Sequence, residues 1–265
     1  MNAGSFDLEQ GLATAGLESI PDEARAAAYA AMPADKRGVI KFTLSLVEGV
    51  CGRRADTLHA ALLPDHGLGY SLVRKPAHWT FCLIEPGFDS APRLAAALML
   101  ARLSGQEHVI AVRRGPAGDF PPALLTVLEL TGIEPVFAAP GAVSDRAFAL
   151  LREVYGPDGR MLVFGDSAEH LPAGCPVWRD TPPRLALSSA NPDAEAVLRW
   201  AHPDATWSVP NDPALTALYC AEGSESGALR FGPGLEGCWL PPDLEADFFM
   251  RVRRTVRICR ELADL

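Results

Sequence analysis

Between Trp79 and Ser167 the chain alternates short, fully apolar runs with longer stretches of helical composition, three times over, and closes on a fourth apolar run. Trp79-Thr-Phe-Cys-Leu-Ile-Glu85, Val109–Val112, Glu134–Ala139 and Met161–Phe164 each read as a strand buried on both faces. Loops at 86–90, 115–119, 140–145 and 165–169 follow them. Helices are expected over Ala91–Leu103, Pro122–Thr131 and from Ser144-Asp145 onward, with Gly132 ending the second in the left-handed conformation. Strands that alternate with helices in this way imply right-handed crossovers and a parallel sheet. Ligands of such sheets bind beyond the strand carboxyl ends, so the four loops mark the edge where a site is expected.

The flanking segments follow other patterns. Residues 1–20 are weakly patterned. Pro21-Asp22-Glu23 starts a helix through Met32, which Pro33 ends. Val39, Phe42, Leu46 and Val50 recur at helical spacing, predicting a helix over 36–50, and another is expected over 55–63. The proline-rich stretch 171–183 reads as a connector. Beyond it, strands are expected at 184–188, 206–209 and 227–231, and helices at 191–200 and 213–220. Asn191 is the N-cap of the first of these helices, with Pro192 at its first position. A last helix is expected from Asp243, with Leu244, Phe248, Val252, Thr255 or Val256, Cys259 and Leu262 on one stripe and Arg251, Arg253, Arg254, Arg257 and Arg260 around it. The organisation is a helical N-terminal segment (1–70), a first Rossmann-like lobe (71–180) and a smaller second lobe with a C-terminal helix (181–265). The fold class is α/β with mostly parallel sheets.

Composition narrows the function. With 48% hydrophobic and 22% charged residues the chain can bury a real core. A net charge of −9 disfavours broad binding to nucleic acid or anionic membrane. No apolar run is long enough for a membrane span, and Asp7 and Glu9 stand where a secretory leader would be apolar. The six cysteines lack metal or disulfide spacing, as expected of reduced thiols in the cytoplasm.

Several groups carry possible chemistry. Pro86, Gly87 and Ser90, with Pro140, Gly141 and Ser144, form a rim where backbone amides and helix N-termini suit a phosphate; the plainer reading is tight strand-to-helix turns. Asp166, Glu169 and His170 follow a strand end, at the edge suited to chemistry. His202, Asp204 and Asp212 suggest acid–base or metal work, although a histidine that ends a helix is the commoner case. His78 precedes the first strand and is expected to pack. The arginines of the last helix could hold an anion or simply be solvated. Ser188-Ser189 has no histidine at a triad-like spacing.

The central and later segments resemble histidinol dehydrogenase. Glu85-Pro86-Gly87-Phe88, the small-residue run Ala95–Ala101 and His108–Val112 are similar to the family's Pro-Gly-Gly loop, helix and strand. Ile133-Glu134, Val136–Ala139 and Pro140–Ser144 follow its next segment, and Ala201-His202-Pro203-Asp204-Ala205 its Ala-Pro-Glu-His stretch. Asn211-Asp212-Pro213, Ser226–Gly232 and Asp247–Arg260 extend the likeness to the end. The resemblance implies a cleft for a small molecule or nucleotide between two lobes. It implies NAD(P) as cofactor, held by the 86–90 and 140–144 loops, with Asp204 or Asp166 as acid–base group. The departures matter as much. The family's catalytic Glu-His pair falls on Asp204 and Ala205, its loop glutamine on Val143, and its zinc-binding Gln-x-x-His has no counterpart, Arg199 to His202 keeping only the spacing. Histidinol oxidation and zinc are therefore not expected. The alternatives are a non-catalytic scaffold or an NAD(P)-dependent oxidoreductase of altered substrate, as monomer or homodimer.

Overall fold

The fold is given by a computed structural model describing residues 8–53, 57–63, 68–167, 174–188, 191–220 and 229–258. At the N-terminus α1 (Leu8–Thr14) and a two-residue strand, β1 (Glu18–Ser19), precede α2 (Asp22–Ala31) and α3 (Ala34–Cys51). Prolines 21 and 33 stand at the N-caps of α2 and α3, where a missing N–H costs nothing. Arg25 on α2 is buried; its Nη1 donates to the Ile133 carbonyl at 2.7 Å and its Nη2 meets Asp22 and Glu134, which fixes α2 against the central fold. Two strands follow, β2 (Thr57–Leu63) and β3 (Leu68–Pro76), the first in place of the helix expected over 55–63.

The alternation from residue 79 is confirmed. It comprises β4 (Trp79–Ile84), α4 (Ala91–Leu103), β5 (Val109–Arg114), α5 (Pro122–Thr131), β6 (Val136–Ala139), α6 (Asp145–Tyr155) and β7 (Gly159–Phe164), with β8 (Val177–Arg179) arising inside the expected connector. They build a six-stranded sheet in the order β1-β6-β5-β4-β7-β8, parallel except for β1. The apolar strands have a direct cause. Successive side chains enter opposite layers: Cys82, Ile84, Ala111 and Leu162 pack under α4 and α5, whereas Trp79, Phe81, Leu83, Ile110 and Met161 pack under α1 and α6. Helix α4 lies between α3, α5 and the sheet and is buried along nearly its whole length, which its all-round apolar composition requires. Gly132 ends α5 at φ 60, as expected.

A second sheet, of four parallel strands ordered β10-β9-β11-β12, is built from β9 (Arg184–Leu187), β10 (Thr206–Trp207), β11 (Ala217–Tyr219) and β12 (Leu229–Phe231), with α7 (Pro192–Ala201) between β9 and β10. Asn191 caps α7 with its side chain, accepting from the Asp193 and Ala194 amides. The expected helix over 213–220 is replaced by β11, whose apolar run is short enough to suit either state until its neighbours decide. Leu185, Leu198, Ala217 and Tyr219 join the layer that contains α4, so the two parallel sheets share one continuous core.

The expected C-terminal helix is also overturned. A single 3-10 turn at Ala246–Phe249 leads into β13 (Met250–Ile258), which pairs antiparallel with β3, itself paired with β2. The backbone carbonyls that a helix would have used are taken by distant side chains. Arg160 donates to Phe248 and Met250 at 2.6 Å each, Gln106 to Phe249 at 2.9 Å and Ser104 to Ala246 at 3.0 Å. Val252, Thr255, Val256 and Ile258 are β-branched and suit the pleat. Residues 259–265, including Cys259 and Leu262 of the expected stripe and Arg260 beside it, lie outside the described residues. No helix among those described is long and apolar enough to cross a membrane.

Candidate functional site

The order of the six-stranded sheet reverses between β4 and β7, where β4 feeds α4 and β5 to one side and β7 lies on the other. The edge beyond these two strand ends is the ligand position in sheets of this kind. It is shaped by two glycines, Gly87 at φ 90 and Gly165 at φ 84. A Cβ on Gly165 would lie 3.1 Å from that of Glu85, so the β7 loop runs directly against the end of β4. Pro86 and Gly87 are exposed, as are Pro140 and Gly141 beyond β6, and Gly141 faces open space. Asp166 is exposed at the same edge and makes no hydrogen bond or ion pair among the described residues. Glu169 and His170 lie outside them.

Both rim serines are engaged away from this edge. Ser90 is fully buried and its Oγ donates to the Ala201 carbonyl at 2.6 Å. Ser144 donates to the Ala15 carbonyl at 3.3 Å. The rim proper is therefore Pro86, Gly87, Pro140 and Gly141.

One group at the edge was missed in the sequence. Glu85, the residue after β4, is 4% exposed. Its Oε2 lies 3.4 Å from Arg114 Nε, while its Oε1 is buried with no hydrogen-bond partner. Beside it Arg113 donates through Nη1 to the Glu85 and Phe88 carbonyls, at 3.4 and 3.2 Å, and so fixes the shape of the 85–88 turn. A glutamate closing an apolar strand just before Pro-Gly was the available signal.

Asp204 occupies a different setting. Arg93 on α4, 1% exposed, places Nη2 2.5 Å from Asp204 and 3.4 Å from Asp180, with its guanidinium 5.0 Å from the centre of the Phe88 ring. Burial raises the Asp180 carboxyl to about 7, against the pull of Arg93. Asp204 thus links α4 to the turn after α7. His202 is 1% exposed, with Nδ1 3.4 Å from Ser90 Oγ and Nε2 3.2 Å from the Tyr219 hydroxyl, which itself donates to the Cys238 carbonyl at 2.6 Å. Burial, then the nearby Arg93, lowers His202 to about 3, so the ring is neutral. The expected company of His202 with Asp212 is not formed. Asp212 instead holds Ser208, Arg184 and the Ala214 amide. Among the described residues no three His, Cys, Asp or Glu side chains are grouped to hold a metal ion.

These features define a Rossmann-like α/β fold with a mostly parallel sheet. In particular, the chain is similar to histidinol dehydrogenase from Elizabethkingia anophelis, at 14% identity over 91% of this chain and 77% of that one, with a TM-score of 0.53. The relationship is distant and structural. Lactaldehyde dehydrogenase from Escherichia coli (13% identity, TM-score 0.35) and an NAD-dependent benzaldehyde dehydrogenase from Corynebacterium glutamicum (15%, 0.36) overlap more weakly. They match 74% and 81% of this chain, which spans 46% and 56% of their lengths. No protein-family model and no curated protein matches the chain.

Proposed function

We propose that this protein binds a small molecule or nucleotide at the edge beyond β4 and β7, and that it does not oxidise histidinol. The observation that carries this reading is the buried, unpartnered Oε1 of Glu85 at the point where the strand order reverses. A buried carboxylate oxygen without a donor is costly, and a ligand hydroxyl or amine would satisfy it. The open rim of Pro86, Gly87, Pro140 and Gly141 supplies backbone approach for a nucleotide such as NAD(P). A bound nicotinamide would supply the hydride acceptor. Asp166, exposed at the same edge, is the carboxylate left available for proton transfer. Asp204 is engaged by Arg93, and Ala205 beside it has no proton to give.

A second reading, a non-catalytic scaffold, is favoured by the surface between the two parallel sheets. Arg93, Asp180, Asp204, Ser90 and His202 fill it with contacts to one another.

Melting temperature against NAD⁺, NADH, NADP⁺, NADPH, ATP, histidinol and zinc separates the two. A ligand at about 100 times its Kd stabilises the folded state by about 2.7 kcal/mol. A dose-dependent rise with a nicotinamide nucleotide, lost in Glu85→Gln, is the expected result. No shift with any of these compounds would leave the scaffold reading in its place.

A further inference from the structure

The antiparallel sheet of β2, β3 and β13 carries six Lys and Arg residues and no Asp or Glu, in a chain of net charge −9. Residues in register across paired strands share a face. On one face stand Val252, Arg254, Val256 and Ile258 of β13, in rows with Arg74, Leu72, Tyr70 and Leu68. On the other stand Arg251, Arg253, Thr255 and Arg257. Val252, Val256 and Ile258 are 43%, 64% and 83% exposed. Arg251 is held by Asp158 at 3.5 Å, but Arg253, Arg254 and Arg257 form no ion pair among the described residues. The outer edge of β13 has no strand beside it among those residues. A nine-residue edge strand without proline, with three exposed aliphatic side chains and Arg254 on one face and Arg253 and Arg257 on the other, is a template for one more strand.

We propose that β13 is a docking edge for an extended acidic segment of a partner protein, in which acidic and apolar residues alternate. The incoming strand would lay its carboxylates beside Arg253 and Arg257 and its apolar side chains beside Val252, Val256 and Ile258. Charge alone would suit RNA equally, but RNA leaves the aliphatic row uncovered.

The test uses the full chain and a blocked nine-residue peptide of alternating glutamate and valine, followed by fluorescence anisotropy. A peptide of the same composition with its glutamates and valines in separate blocks is the control, and an oligouridylate is the competitor. The expected result is saturable binding of the alternating peptide that weakens as salt rises, with slowed amide exchange over residues 250–258. The double variant Arg253→Glu, Arg257→Glu should bind at least about ten-fold more weakly. Val256→Thr, which keeps the β-branch, should weaken binding without lowering the melting temperature. Equal binding of the block peptide, tighter binding of the oligouridylate, unprotected amides, or no binding to the wild-type chain would each overturn the proposal.

Discussion

Arg93→Met removes a cation of α4 that faces two carboxylates, Asp180 just past β8 and Asp204 in the turn after α7. Asp180 lies 3.4 Å from it with a side chain 5% exposed, so the substitution strands a buried charge. A charge held unpaired would cost about 3–5 kcal/mol, but a carboxyl can take up a proton instead, which limits the loss. The Asp204 contact, at 28% exposure, is discounted because solvent can take over that charge. The cost should depend on pH, and its sign follows from Asp180. Its folded carboxyl titrates near 7, above the roughly 3.9 of an unfolded aspartate. In the wild type, the stability this group contributes is therefore fully present below about pH 3.9 and lost as pH rises through about 7. Without Arg93 the folded carboxyl holds its proton still more firmly. Urea unfolding should then give a loss of about 1–2 kcal/mol near pH 5, where Asp180 is neutral and packing on Phe88 is lost, and about 1.4 kcal/mol more near pH 8, one pH unit above the point where the wild-type carboxyl titrates. Adding Asp180→Asn should recover part of the loss at the higher pH. A cost below about 1 kcal/mol near pH 8, or the same cost at both pH values, would refute the reasoning.

Two further perturbations test neighbouring claims. An unfolded histidine gains its proton near pH 6.5, whereas folded His202 stays neutral down to about 3, so this residue removes stability as pH falls between those values. His202→Phe should flatten the acid side of the stability curve measured by urea midpoints, and an unchanged slope would show that His202 is protonated in the fold. A Cβ at Gly159 would lie 2.2 Å from the Trp79 ring, so Gly159→Ala should destabilise by about 1–3 kcal/mol or more, with Trp79→Phe restoring part of it; a neutral melt would disprove the close fit.

The parts of the fold legible in the sequence are those whose pattern had one reading. The runs Trp79–Ile84 and Met161–Phe164 are too short and too apolar for anything but strands in a covered sheet, and Asn191-Pro192 marks a helix start by chemistry that acts within one turn. The segments at 57–63, 217–219 and 250–258 suited two periods, and distant partners decided them. Arg160 and Gln106 take the carbonyls at 248–250, across separations that no local pattern encodes. The site divides in the same way. The rim loops were placed on one edge correctly because strand direction sets the edge. That Ser90 reaches Ala201 and Asp204 reaches Arg93 follows only from how α7 lies on α4. Glu85 was passed over because its isolation is a property of the folded surroundings, not of its neighbours in the chain.

The pairing of β13 with β3 also has a consequence for biosynthesis. Pro76 faces Met250 and Leu68 faces Ile258, so the β2–β3 hairpin leaves the ribosome long before the strand that completes its sheet. At about 5–20 residues per second the delay is on the order of ten seconds or more. For that interval the hairpin presents the Leu68, Tyr70 and Leu72 backbone to whatever is nearby, including another nascent chain. Slower translation lengthens the exposure, and the yield of native protein should fall with it unless a chaperone shields the open strand.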